Sequence, residues 1–212
     1  MIWENNDDIR VEYCDENRRD IQRALDACRD ERRPYLIIKN SELRIKNNAS
    51  ESAASSANSK FKIQNSGLSS ILLPITMLEE EVYKAEICTY LARKTGAHLI
   101  LLRANDYGSK AKQNTQRIIT HIQTISQRID TPISYEERVA NGDSFHIHNE
   151  LSQISATLQE ASQGIVLILL TASREYGLDD WIFGPPELHV IRKAQVPVML
   201  VNPRADLFSL CD

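Results

Sequence analysis

Residues 164–203 read GIVLILLTASREYGLDDWIFGPPELHVIRKAQVPVMLVNP, and this stretch decides the fold. The apolar, β-branched run at 165–170 gives way to a polar loop. A short helical pattern then opens at Gly184 and Pro185, and a second apolar run follows in Val198, Met199, Leu200 and Val201. Strands that stay apolar throughout, with a helix between them, predict a parallel sheet covered on both faces, because strands buried on both sides do not alternate polar with apolar. In such sheets ligands sit beyond the carboxyl ends of the strands, so residues 171–183 form the loop in which to look for function.

Working outward, the same alternation continues upstream. Residues 71–76 (ILLPIT) predict a strand, and Thr76 to Glu79 has the form of a capping box. Leu78, Val82, Ala85, Thr89 and Ala92 then make one helix face that stops at Gly96. Residues 97–102 predict a second strand, Ile118, Ile122, Ile125 and Ile129 a second helix, and residues 132–139 a third strand. A turn at 141–144 leads into a third helix with Ile147, Leu151, Ile154, Leu158 and Ala161 on its inner stripe. Five strands alternating with four helices predict a doubly wound α/β domain with right-handed crossovers.

Residues 68–204 resemble the universal stress protein family. That family's signature is a Gly closing the fourth strand, two residues, a second Gly, nine residues, Gly-Ser or Gly-Thr, and then a Pro-Val strand. Here the spacing is kept and much of the chemistry is changed. Thr171 and Arg174 stand at the first two glycine positions, Gly184 is retained, Pro185 replaces the Ser or Thr, and AQVPVMLV at 194–201 fits well. The resemblance implies a five-stranded, Rossmann-like parallel sheet of order 3-2-1-4-5. It also implies a nucleotide site in which an Asp at the end of the first strand contacts the adenosine; Thr76 occupies that position here.

The phosphate part of such a site depends on backbone N–H groups that a ligand can approach closely. Thr171 and Arg174 add side chains there, and Pro185 has no N–H to give. Losses of about 3–5 kcal/mol would weaken a micromolar site by two to three powers of ten or more. The expectation is therefore a degenerate nucleotide site at Thr76, Thr171, Arg174, Gly177, Gly184 and Pro185, with no cofactor. The alternative is an ATP- or AMP-binding switch, in which the Arg174 guanidinium rebuilds the phosphate contact with Gly177 and Gly184.

The N-terminal end carries a partial echo of this pattern. Residues 9–14 predict a strand, Asn17 caps a helix with Asp20 at its third position, and Ile21, Ala24, Leu25 and Cys28 form its apolar stripe. Residues 33–40 predict another strand. Placed over the C-terminal end, Pro34-Tyr35-Leu36-Ile37-Ile38 matches Pro197-Val198-Met199-Leu200-Val201, each run preceded by a helix. Residues 1–45 are read as the tail of a first, mostly lost, tandem module; an unrelated helix and strand packed on the main domain is the other reading. Residues 46–67 are rich in Ser, Ala and Asn and are expected to be a flexible linker, and residues 205–212 a tail.

Composition narrows the partners. A formal net charge of −4 in 212 residues gives no basic footprint for nucleic acid. No apolar run is long enough to cross a bilayer, and the acidic start lacks the form of a signal peptide, so a cytoplasmic protein without membrane insertion is expected. Cys14, Cys28, Cys88 and Cys211 form no CxxC pair. His146 and His148, two apart at a helix start, lie on different faces, which argues against a shared metal. Asp179, Asp180 and Trp181 have no nucleophile or base beside them, and no triad spacing is present.

The functional expectation is a non-catalytic stress-response module that acts through dimerisation and contacts with a protein partner. Its edge would be Val198, Met199, Leu200 and Val201, where a second copy pairs to give a homodimer, or where Tyr35, Leu36 and Ile37 pair instead to give an internal pseudo-dimer. A soluble regulatory tail of a cation/proton antiporter is a further form of the same reading.

Overall fold

In the computed structural model, residues 9–30, 34–39, 67–77, 81–172 and 185–201 are described. The apolar runs become strands and the striped segments helices, in the order β1 (Arg10–Cys14), α1 (Arg18–Asp30), β2 (Tyr35–Lys39), β3 (Leu68–Ile75), α2 (Glu81–Thr95), β4 (His98–Arg103), α3 (Lys110–Ile129), β5 (Tyr135–Val139), α4 (His148–Ala161), β6 (Ile165–Thr171), α5 (Pro186–Lys193) and β7 (Val198–Val201). Strands β3, β6 and β7 are almost wholly buried, which explains why their sequences do not alternate.

The strands form one seven-stranded sheet of order β1-β2-β7-β6-β3-β4-β5. Within it, β3 to β7 keep the expected 3-2-1-4-5 order, and their pairings are all parallel. The N-terminal strand/helix/strand fragment extends these five parallel strands, β2 running antiparallel to β7 and β1 parallel to β2. The physical reason is β7 itself: an apolar edge strand leaves a row of unpaired backbone groups beside buried side chains, and β2 supplies the missing ladder.

The register of that added pair is symmetric. Leu36 faces Met199, its equivalent in the sequence repeat; Tyr35 faces Leu200 and Ile37 faces Val198, which is the same pairing read from either side. That is the register of two copies of one strand related by a two-fold axis. The relation extends further, since β1 lies parallel to β2 as β6 lies parallel to β7. Helices α1 and α5 pack on the same sheet face as α4, through Ile21, Leu25, Cys28, Leu188, Ile191 and Leu151, while α2 and α3 cover the opposite face.

Of the two pairings expected at the last strand, a second copy or residues 35–37 of the same chain, the internal one is formed. β7 is paired on both sides within one chain, so no backbone ladder is open to a second copy there. The linker at 46–66 and the tail lie outside the described residues.

Candidate functional site

The carboxyl ends of β3 and β6 are adjacent, and their connections lead to opposite faces of the sheet, through α2 and α5 respectively. This is the switch point of a doubly wound sheet, where the strand order opens a crevice. The site is built around it.

One wall is a set of braced loops. Asp106, just past β4, accepts hydrogen bonds from Ser144 N at 2.8 Å and Ser144 Oγ at 2.5 Å. The Ser144 hydroxyl accepts in turn from Met77 N at 2.9 Å, so the loops after β3, β4 and β5 are tied at one serine. Glu150 on α4 holds the start of the last loop through Asn141 N at 3.0 Å and Gly142 N. A Cβ on Gly142 would lie 3.0 Å from Glu150 Oε1 and 3.1 Å from the His146 carbonyl carbon, so a side chain here would require its neighbours to shift by a few tenths of an ångström.

Asp143 accepts from Phe145 N at 3.0 Å, His146 N at 3.1 Å and His146 Nδ1 at 2.7 Å. The His146 ring beside it, with those backbone N–H groups, holds the Asp143 carboxyl below its ordinary range. The pair tightens the turn into α4. Among the described residues no group of three His, Cys, Asp or Glu gathers to hold a metal.

Below the crevice lies a buried polar pair. Lys84 on α2 is 2% exposed and donates to the Pro74 carbonyl at 2.8 Å. Burial, together with the positive Lys84, pushes the His148 imidazole down to about 4. His148 is thus neutral at pH 7, and its Nδ1 has no hydrogen-bond partner.

The sequence-derived residues are only partly brought together. Thr76 is buried at the end of β3, and its carbonyl accepts from Asn114 Nδ2 at 2.9 Å. The helix start that its capping box would serve falls at 78–80, outside the described residues. Thr171 ends β6, and its Oγ1 is buried without a hydrogen-bond partner. Pro185 caps α5 in an extended conformation, φ −66° and ψ 156°, with no side-chain cap. Arg174, Gly177 and Gly184 lie outside the described residues, as do Asp179, Asp180 and Trp181.

Two residues escaped the sequence reading. Glu187, in the first turn of α5, is 3% exposed, which sets a buried carboxylate at the end of the helix where a phosphate would be drawn. The available signal was a charged residue on the inner stripe of a helix otherwise lined by Leu188 and Ile191. Lys39, 4% exposed at the end of β2, donates its Nζ to the Ala194 carbonyl, at the other end of the same helix.

Comparison with known structures follows this geometry. A universal stress protein from Archaeoglobus fulgidus DSM 4304 superposes with a TM-score of 0.59 at 14% sequence identity, covering 94% of this chain and 62% of that one. The fold is that of the universal stress proteins. This chain therefore spans less than two thirds of the length of that relative. A match to 94% of the chain is too long to be the main domain alone, so it takes in part of the N-terminal unit as well. A second universal stress protein, solved in complex with cAMP, aligns with a TM-score of 0.48 at 11% identity, over 66% of this chain and 100% of that one. No family model and no curated protein matches the sequence. No helix among the described residues is long and apolar enough to cross a membrane.

Proposed function

We propose that this chain is a non-catalytic, stress-response module of the universal stress protein type, in which the nucleotide site has decayed and contacts with other proteins carry the function. One observation carries the reading: the N-terminus of α5 presents Pro185, which has no N–H, and the buried carboxylate of Glu187. A helix start attracts phosphate through free N–H groups and the positive end of its dipole. Here one donor is missing and the buried carboxyl of Glu187 already occupies the first turn. The N-terminal unit supports the same reading, since β2 fills the position that a second copy would take on β7.

The test is calorimetric titration of nucleotide-stripped protein with ATP and AMP. No heat is expected at millimolar nucleotide. Micromolar binding that disappears in Arg174→Ala would overturn the proposal and establish the alternative of a nucleotide switch. That alternative has one observation in its favour, the buried Thr171 hydroxyl, which is left without a partner at the head of the loop.

A further inference from the structure

With β7 closed, the described sheet has two open edges, β1 and β5. The β5 edge reads Tyr135-Glu136-Glu137-Arg138-Val139 and passes from half-buried to exposed toward its carboxyl end. Val139 is 53% exposed, and the adjoining loops present Phe145 at 74% and Tyr107 with its whole side chain in solvent. These are three of the four large apolar residues exposed among those described; the fourth is Tyr13 on β1. The loops carrying Tyr107 and Phe145 are held by the bond between Asp106 and Ser144, so the aromatics project from braced backbone.

The direction of the backbone groups limits how anything can pair with this edge. Ala140 N donates to Arg103 O at 2.8 Å, toward β4. Because N–H directions alternate along a strand, Glu136 and Arg138 also face β4, while Tyr135, Glu137 and Val139 turn their backbone groups outward. A strand added here bonds to those three residues.

We infer that the β5 edge is a self-association surface whose partner is a second copy of this chain, paired antiparallel about a two-fold axis at Glu137. In that register Tyr135 stands opposite Val139 of the other copy, which covers the exposed valine. Glu136 stands opposite Arg138 in a non-hydrogen-bonded pair, the closer of the two pair types. By symmetry each of these contacts occurs twice. The two Glu137 side chains meet at the axis, but each is already bonded to its own Arg103 at 2.8 Å, so the group at the axis is neutral. Within one chain Arg138 pairs with Glu136 at 2.6 Å, and that ion pair is exchanged across the axis rather than lost. The argument is one of charge complementarity: the edge carries opposite charges at the two positions that antiparallel self-pairing brings together.

The experiment is sedimentation or light scattering of the intact chain over a wide concentration range, with charge-exchange variants. Wild type is expected to dimerise reversibly. Arg138→Glu sets like charges opposite each other twice and is expected to weaken the dimer by roughly tenfold or more. Combining it with Glu136→Arg restores the opposite charges, and the dimer is expected to return. The β1 edge carries the same alternation in Arg10 and Glu12, which makes Arg10→Glu the control, expected to leave the mass unchanged. Amide exchange gives an independent readout: the N–H groups of Glu137 and Val139 gain protection as the dimer forms. A protein that stays monomeric at about millimolar concentration overturns the inference, as does a dimer that survives Arg138→Glu or falls apart with Arg10→Glu. The mass measurement and the nucleotide titration fail independently of each other.

Discussion

The unit β1-α1-β2 and its counterpart β6-α5-β7 share one topology and pair through a symmetric register, yet they differ in their connections and in their outer strands. Between β6 and α5 fourteen residues, 172–185, intervene in the sequence; between β1 and α1 only residues 15–17 do. The short connection closes with an Asn17 cap, in which Asn17 Oδ1 accepts from Asp20 N at 3.0 Å and Asn17 Nδ2 donates to Asp20 Oδ2 at 2.7 Å. The strands differ in the same sense. Following the register, Ile168 and Leu170 of β6 correspond to Arg10 and Glu12 of β1, so the interior strand is apolar where the edge strand is charged. The pairing face of β2 has stayed apolar and buried. The N-terminal unit seals the sheet through β2, with only three residues between its first strand and its helix.

The most severe way to break this comparison is to break the seal. Leu36→Asp places an unpaired charge opposite Met199, and a loss of about 3 kcal/mol or more is expected in urea unfolding. Exposure of the β7 edge should then appear as association in light scattering. A variant as stable as wild type would mean that β2 does not hold the sheet closed. Next in size are the paired truncations Leu25→Ala and Leu188→Ala, at equivalent places on α1 and α5 and both buried in one cluster. Each is expected to cost about 2–5 kcal/mol and to move a single cooperative transition. Two separate transitions would show that the N-terminal unit folds on its own.

The His148 imidazole makes a prediction of similar size that concerns only the main domain. Its value of about 4 in the folded chain lies below the ordinary 6.5, so between these two values the unfolded chain binds the proton and the folded chain does not. Stability is therefore intact above about pH 6.5 and falls as the pH drops toward 4, by up to about 3 kcal/mol. His148→Gln should flatten this slope. Lys39→Met removes the bond to the Ala194 carbonyl at the end of α5 and should lower stability by about 1–3 kcal/mol. The smallest effect belongs to the ligand loop. Glu187→Gln removes the ionisable carboxyl from the α5 N-terminus and should raise any residual affinity for phosphate or nucleotide by a few-fold, about 0.3–1 kcal/mol, read by titration. A decrease would mean that the carboxylate supports the site.

Much of this architecture was legible in the chain because its signals are local. Buried strands such as β3 and β6 show as unbroken apolar runs, Asn17 and Asp20 announce α1, and the repeat of residues 34–38 in 197–201 was visible before its two copies were seen to pair. The candidate site was less legible. Thr171 ends β6 and Pro185 precedes α5, but burial sets Glu187, an ordinary first-turn acid in the sequence, inside the protein. The Lys84 and His148 pair could not be read at all, since it joins two helices on opposite faces of the sheet across some sixty residues.

By itself, then, the sequence determined the class of fold, the order of its elements and the existence of two related strands, because periodicity, caps and turns act over a few residues. Only the tertiary structure decided that β2 lies antiparallel on β7, that the sheet ends in charged strands at β1 and β5, and that Glu187, Lys39 and Lys84 are buried. Those outcomes depend on which surfaces meet over long separations, where backbone pairing and desolvation are settled for the whole molecule at once.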